Sequence, residues 1–433
     1  MGIVVLALVV RLVAAVAVFD DPLAFDPRDY DRYARSIATG DGYPEAFAPY
    51  QGPTAYRPPA FPVVLGAVYA VRGGADPPPD WSVYLRGHQP DQRQVNAGRI
   101  AQALLGTAAV AMVGLVAFQL FGARVALLSL GLGAVYPPFV IVGLSLFSEP
   151  LFILLVLAAV AAALRARAGP TRVLRWAAVS GAFAGLAWLT RSNGFVVLPA
   201  LCLLVWTVRP RLSRTALAAP AVLLGAVALV VGPWTVRNAV TLDAFIPVSS
   251  EGGYTLAGTY NDTSRNSDTY PAGWIPAERD LDNARIMRTL RDDGELSSEM
   301  MRQSLEYIGD HPAYVGKVAY CNTMRMIYLE RLGCGESGFG RANFIHETRI
   351  GDGVIALAIV SFAALALLAL GGAATRAARA APLSLWLVPL SLATVVLVVS
   401  GNRLRAPIEP FMIMLAALAL ARLTGRFRRC VSA

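Results

Sequence analysis

Charge is scarce in this chain, and one cation is almost missing. Of 433 residues only 15% are Asp, Glu, Lys or Arg, and Lys317 is the single lysine beside 37 arginines. An ordinary soluble domain carries about 25% charged residues. With 56% hydrophobic residues and a mean hydropathy of +0.52, the composition excludes a soluble globular enzyme. Four cysteines are too few for a disulfide scaffold. The histidines, His88, His311 and His346, include no pair at zinc-ligand spacing. No G-x-x-x-x-G-K-[ST] sequence occurs, so no phosphate cradle of that type points to an ATP-driven machine. An activated substrate or a gradient then has to supply the free energy. No internal repeat is visible.

What the chain does have is apolar runs of about 20 residues, the length of helix that crosses a bilayer. The pattern predicts ten spans, over residues 2–19, 98–120, 124–146, 148–165, 173–190, 194–208, 216–233, 353–371, 383–400 and 406–423. The first lacks a basic start and carries Arg11 in its middle, so it is read as a retained span and not a signal peptide. Basic residues in short loops set orientation. With the N-terminus in the cytoplasm, the inner segments hold fourteen arginines and no carboxylate, while all 29 Asp and Glu fall in outer loops or at outer span ends. The net charge of +9 thus reports topology and not nucleic-acid binding. Three regions follow: residues 1–233 with a first outer loop over 20–97, an outer region over 234–352, and closing spans over 353–433. Loops this long carry function of their own.

In the first outer loop, Tyr30, Tyr33, Ala34, Ile37 and Ala38 recur at helical spacing. This predicts a short amphipathic helix along the membrane surface, with Asp26 as N-cap, Pro27 as first residue, Asp29 at the third position and Gly40 as stop. Asp26 has two readings: a structural cap worth about 1 kcal/mol, or a carboxylate at the bilayer edge where a lipid-borne and a water-borne substrate meet. Tyr56-Arg57-Pro58-Pro59 then opens a second short helix that runs to Val71. Arg57 lies where a guanidinium can hold a phosphate through charge-assisted hydrogen bonds.

Seven motifs follow one another in order: Asp26-x-x-x-Tyr30 through Gly40-x-Gly42-Tyr43; Tyr56-Arg57-Pro58-Pro59; Ala97-Gly98-Arg99-Ile100-Ala101-Gln102; Ser148-Glu149-Pro150; Leu189-Thr190-Arg191-Ser192-Asn193-Gly194; Pro233-Trp234-Thr235-Val236-Arg237-Asn238; and Asn402-Arg403-Leu404-Arg405-Ala406-Pro407. Together they resemble the polyprenyl-phosphate-sugar-dependent membrane glycosyltransferases of the GT-C fold, near the protein mannosyltransferases and the lipid A aminoarabinose transferases. The resemblance implies an all-α integral-membrane bundle of about ten transmembrane helices, with interfacial helices in the first outer loop and a mostly helical outer insertion.

It also implies transfer of one sugar, at the outer membrane face, from a polyprenyl-phosphate donor to a protein, glycolipid or polysaccharide acceptor. Asp26 and Glu149 match the family's acids, with Asp29 as the fallback to Asp26. Tyr30, Arg57, Arg191, Arg237, Asn238, Arg403 and Arg405, with Asp29, are the candidate substrate contacts, and Arg57 and Arg405 have the most family-like settings. Arg57 stands where lipid A-modifying relatives tend to carry lysine. A carboxylate facing the acceptor takes its proton, and preorganised cations meet the charge developing on the leaving phosphate. No metal is expected to be required. Glu409 is a possible partner for Arg11, and Cys321 and Cys334, both on the oxidising side, are able to pair. Arginine-for-lysine bias and Ala/Val-rich spans suggest the plasma (inner) membrane of a bacterium with a GC-rich genome, with both termini cytoplasmic. The rival readings are a lipid-phosphate or lipid-linked-sugar transporter that performs no transfer, and a non-catalytic assembly partner.

Overall fold

The computed structural model describes residues 1–45, 52–72, 91–169, 172–207, 212–290, 292–335, 351–399 and 401–431, apart from the side chains of Thr215 and of 425–431. Among them the architecture is all-α, with one isolated β-bridge between Glu45 and Pro53. Five helices are long and apolar enough to cross a membrane: Gln92–Phe121, Glu149–Ala168, Val173–Thr190, Ala216–Leu242 and Asp352–Ala373. Glu149–Ala168 is the axis of the bundle. Of its apolar window 72% is buried, against 28% for Ala216–Leu242 and 22% for Asp352–Ala373, whose leucines and valines face outward as a lipid-facing surface requires.

Gln92–Phe121 and Val173–Thr190 pack against this axis, and Arg214–Leu242 packs on Val173–Thr190. The last contact is close because a Cβ at Gly181 would overlap the Leu223 carbonyl oxygen. Gly372 brings Asp352–Ala373 equally close to Glu409–Val431 at Leu415. Small residues at helix crossings are how apolar helices gain packing contact when no water is there to drive association.

Several predicted spans are broken. Residues 124–146 form Ala123–Val135 and then a separate turn Pro137–Ile141, because Tyr136-Pro137-Pro138 cannot continue a helix. The span over 194–208 divides into a 3-10 turn, Ser192–Val197, and Leu198–Val205. That over 383–400 becomes Leu383–Ala393 and the turn Thr394–Leu397. In the opposite direction, Arg214–Leu242 runs nine residues past the predicted end at 233. Pro233 is accommodated inside this helix, and Trp234 through Asn238, expected to open the outer loop, are its last turns.

Asp26–Thr39 is a helix with Gly40 as left-handed stop at φ +90°, as predicted. Asp26, however, is its first residue and not its cap. Phe25 holds the cap position with φ +48°, and no side chain caps the helix. The helix is also covered on both faces. Tyr30, Tyr33 and Ala34 are buried, and so is the ion pair of Asp31 and Arg35 at 2.8 Å, which Tyr69 and Gln94 complete with hydrogen bonds. A buried salt bridge has the sequence pattern of a solvated face. Ala60–Val71 packs beside it.

Arg11 is not paired with Glu409. Its guanidinium donates to the carbonyls of Ala7, Gly133, Ala134 and Phe139, while Glu409 pairs with Arg405 at 2.8 Å and accepts from Tyr136. The broken helix around Tyr136 exposes the carbonyls that Arg11 takes. The region after Leu242 is helical as expected, with Glu251–Thr259, Leu281–Thr289, Asp293–Asp310 and Pro312–Met326. A disulfide joins Cys321 to Cys334.

Candidate active site

Four helix starts, one helix end and one turn converge at one end of the bundle. Asp26 and Asp29 come from the first turn of Asp26–Thr39, Glu149 from the start of the axial helix, and Glu251 from the start of Glu251–Thr259. A carboxylate at a helix start is favoured by the positive end of the helix dipole. Arg57 lies just ahead of Ala60–Val71, Arg191 just past Val173–Thr190, and Arg403 in the turn Asn402–Arg405.

These seven charges form one chain. Arg57 binds three carboxylates at once: Asp29 at 2.6 Å, Asp26 at 2.6 Å and Glu251 at 2.8 Å. Its guanidinium also lies 5.3 Å from the ring centroid of Tyr30 and 4.8 Å from that of Tyr56. The other oxygen of Asp26 accepts from Arg403, whose Nε is 3.8 Å from Glu149. Glu149, fully buried, is 2.8 Å from Arg191. Arg191 also donates to Ser148 at 3.0 Å, and Ser148 accepts from the Tyr30 hydroxyl at 3.2 Å. Ser192 donates to Glu251 at 3.0 Å.

Exposure sorts the members by role. Arg57 and Glu149 are buried at 4% and 0% of their side-chain surface, whereas Asp26, Glu251, Arg191 and Arg403 keep 17–29%. These four keep the largest exposed side-chain surface of the cluster. Burial by itself would raise the Asp26 carboxyl, but the charges of Arg403 and Arg57 outweigh it and hold the group far below the usual carboxylate range. For Asp29 burial prevails over Arg57, and its carboxyl is raised. Burial pushes the Tyr30 phenol up to about 12, so it stays a donor to Ser148. Burial would lower Arg57, yet its three carboxylates keep it charged well above the ordinary arginine range.

Of the sequence candidates, Asp26, Asp29, Tyr30, Arg57, Glu149, Arg191 and Arg403 meet here. Arg237, Asn238 and Arg405 take part in none of these ion pairs. Arg237 donates to the Thr54 carbonyl and stacks on Tyr43 and Trp234. Asn238 donates to the Ile246 carbonyl. Tyr43 in turn donates to the Arg57 carbonyl, so this group fixes the strand of chain that presents Arg57. Arg405 is held by Glu409, the Met326 carbonyl and the face of Phe362.

Two residues escaped the sequence reading. Glu251 belongs to none of the seven motifs, and an acid opening a helix was its only signal. Asp293 is buried and accepts from Thr54 Oγ1, Ala55 N, Ser250 Oγ and the Tyr254 hydroxyl. It ties the segment leading to Arg57 to the helix that starts with Glu251. Among the described residues no group of three His, Cys, Asp or Glu is placed to hold a metal ion. His88 and His346 lie outside the described residues.

Residues 92–235 match the family model described as dolichyl-phosphate-mannose-protein mannosyltransferase. Among solved structures, the chain is similar to the apo oligosaccharyltransferase of Archaeoglobus fulgidus, with a TM-score of 0.56 and 12% identity over 98% of this chain and 51% of that one. The same archaeal enzyme, AglB, in complex with an inhibitory peptide and a dolichol-phosphate matches with a TM-score of 0.55 and 14% identity, again over 98% and 51%. The chain spans about half the length of these structures. At such identity the likeness is one of fold, and that fold is the GT-C bundle of membrane glycosyltransferases. No curated protein sequence matches the chain.

Proposed function

We propose that this protein is a membrane glycosyltransferase that moves a single sugar from a polyprenyl-phosphate donor to an extracytoplasmic acceptor. The observation that carries the reading is the half-exposed Asp26 carboxylate gripped between Arg57 and Arg403, with Arg191 and Glu149 next in line. A donor phosphate needs guanidiniums that face outward, and Arg403 and Arg191 meet that need better than Arg57, which is buried and already holds three carboxylates. Arg57 is then a positioning residue. The acceptor atom attacks the anomeric carbon, the bond from that carbon to the phosphate oxygen breaks, and the phosphate keeps the electron pair. Arg403 and Arg191 meet the charge that develops there.

With both guanidiniums on it, Asp26 is a poor base. A donor phosphate that draws Arg403 away would let its carboxyl rise toward the ordinary range and accept the acceptor's proton. Donor binding thus switches on the base. Glu251, on the far side of Arg57, orients the acceptor or sugar. The reading asks for no resident metal, since guanidiniums supply the positive charge. Attack in one step inverts the anomeric centre.

The orientation follows the arginine bias: the acid cluster outside, both termini in the cytoplasm, in the plasma membrane of a bacterium. The transporter reading draws on charge deep in the spans, but Arg11, the charge in the middle of the first span, is engaged by fixed backbone carbonyls. The deciding test incubates purified protein and membrane extract with a panel of radiolabelled polyprenyl-phosphate sugars. Transfer by wild type and not by Asp26→Asn supports the reading. Equal transfer by both removes Asp26 as base, and no transfer from any donor favours transport.

A further inference from the structure

A second charged region lies at the other end of the axial helix. Glu149 opens that helix in the acid cluster and Arg165 lies in its last turn sixteen residues on, about 24 Å away at 1.5 Å per residue. That is most of the roughly 30 Å hydrocarbon thickness of a bilayer. Around Arg165 a cavity of about 1080 Å³ opens between the ends of Gln92–Phe121, Glu149–Ala168 and Glu409–Val431 and the short helix Arg376–Ala380. It is lined by Arg165, Arg167, Arg376 and Arg422 and by no carboxylate. Among the described residues none of the four guanidiniums has an ion-pair partner, in contrast to every arginine of the acid cluster. The remaining wall is mostly apolar, with Phe121, Leu164 and Leu418 between alanines. Gln119 also lines it, and both polar atoms of its amide are buried with no hydrogen-bond partner.

We infer that this cavity binds the phosphate head of an anionic membrane lipid, at a site separate from the acid cluster. Four uncompensated guanidiniums call for an anion with several acceptor oxygens. The apolar wall calls for a hydrocarbon portion attached to it, which a free anion or a nucleotide lacks. At the end of membrane-length helices, a lipid is the ligand that brings both parts already oriented. A bound lipid would brace the ends of three helices whose opposite ends carry or adjoin the candidate active site. The assignment does not rest on the transferase reading.

The test uses the full chain, delipidated in neutral detergent, with native mass spectrometry counting bound phosphatidylglycerol, phosphatidylcholine or inorganic phosphate. Phosphatidylglycerol is expected to bind at least tenfold more tightly than phosphatidylcholine. The double variant Arg165→Ala/Arg167→Ala should weaken it roughly tenfold or more, since each basic residue near an anionic lipid adds several-fold in affinity. Arg379→Ala removes an exposed charge at the same end but outside the lining, and should change nothing. Ala377→Trp fills the cavity with all four arginines kept, so it should weaken binding as well, and it decides the matter if the double variant does not fold. Equal retention of phosphatidylglycerol by wild type and Ala377→Trp would overturn the site. So would an equal loss in Arg379→Ala, and inorganic phosphate binding as tightly as the lipid would overturn the lipid assignment.

Discussion

Arg403 donates to Asp26 across 377 residues of sequence. The contact closes the candidate active site by joining the last turn before the closing helix to the first helix after the opening one. Arg57 holds the other oxygen of the same carboxylate.

If Asp26 takes the acceptor's proton, Asp26→Asn should lower sugar transfer about 10²- to 10⁴-fold, the usual contribution of a positioned base. Arg403→Lys should keep the charge but lose the planar fork that grips a phosphate. It should therefore raise the KM for donor as well as lower kcat. Label transfer at matched amounts of folded protein checks both.

Arg57 is the hub of three carboxylates. Arg57→Ala leaves the buried Asp29 without its cation, and breaking such a buried pair costs about 3–5 kcal/mol. Arg57→Lys should recover little, because Nε and Nη2 together grip one oxygen of Asp29 while Nη2 also reaches Asp26 and Nη1 reaches Glu251. Melting temperatures in detergent should rank wild type well above Lys, with Ala lowest.

Asp26 and Asp29 should pull the pH dependence of stability in opposite directions. The folded-state value of Asp26 lies below its unfolded value. Its contribution is therefore fully present above the unfolded value of about 3.9 and is lost as pH falls toward the folded value. The folded-state value of Asp29 is raised, so the folded protein holds that proton more tightly, and the associated stability is lost as pH climbs from about 3.9 through the raised value. Asp29→Asn should flatten the decline in melting temperature on raising pH from about 4, and Asp26→Asn should lower stability throughout the neutral range. Thermal melts from about pH 2 to about pH 8 cover the Asp26 effect below the unfolded value and the Asp29 effect above it.

Asp293 collects four donors from two segments. Asp293→Ala strands them in a buried place at about 1–3 kcal/mol for each that finds no new partner. Transfer should fall together with stability, because Arg57 and Glu251 lose their common mount. A melting temperature unchanged in Asp293→Ala would contradict this account.

The disulfide between Cys321 and Cys334 closes a loop with a sequence separation of 13, which constrains the unfolded chain by about 3 kcal/mol. Reductant should lower the melting temperature of the wild type and leave that of Cys321→Ser unchanged.

Features that depend on a few neighbouring residues were legible before any coordinates. Val173–Thr190 has the predicted bounds, and Gly40 ends its helix where the pattern places the stop. The first short helix of the outer loop begins one residue before the predicted Pro27, and the second begins directly after Pro58-Pro59, because prolines mark helix starts. Asp26 was misplaced as a cap for a physical reason: an aspartate caps its helix only when no stronger partner is in reach, and Arg403 was invisible at that distance in sequence. Arg11 likewise lost Glu409 to Arg405 once the break at Tyr136 freed backbone carbonyls.

Hydropathy and the segregation of arginine from acid are properties of composition along a line, so the membrane class, the approximate places of the apolar helices and most of the charges that meet could be read from residue order. Which carboxylate meets which guanidinium depends on helix crossings such as those at Gly181 and Gly372, where backbone approach sets the geometry. Ion-pair partners, the burial of Arg57 and Glu149, and the half-exposure of Asp26 arise from that packing, because Coulomb energy and desolvation depend on distance in space and not along the chain.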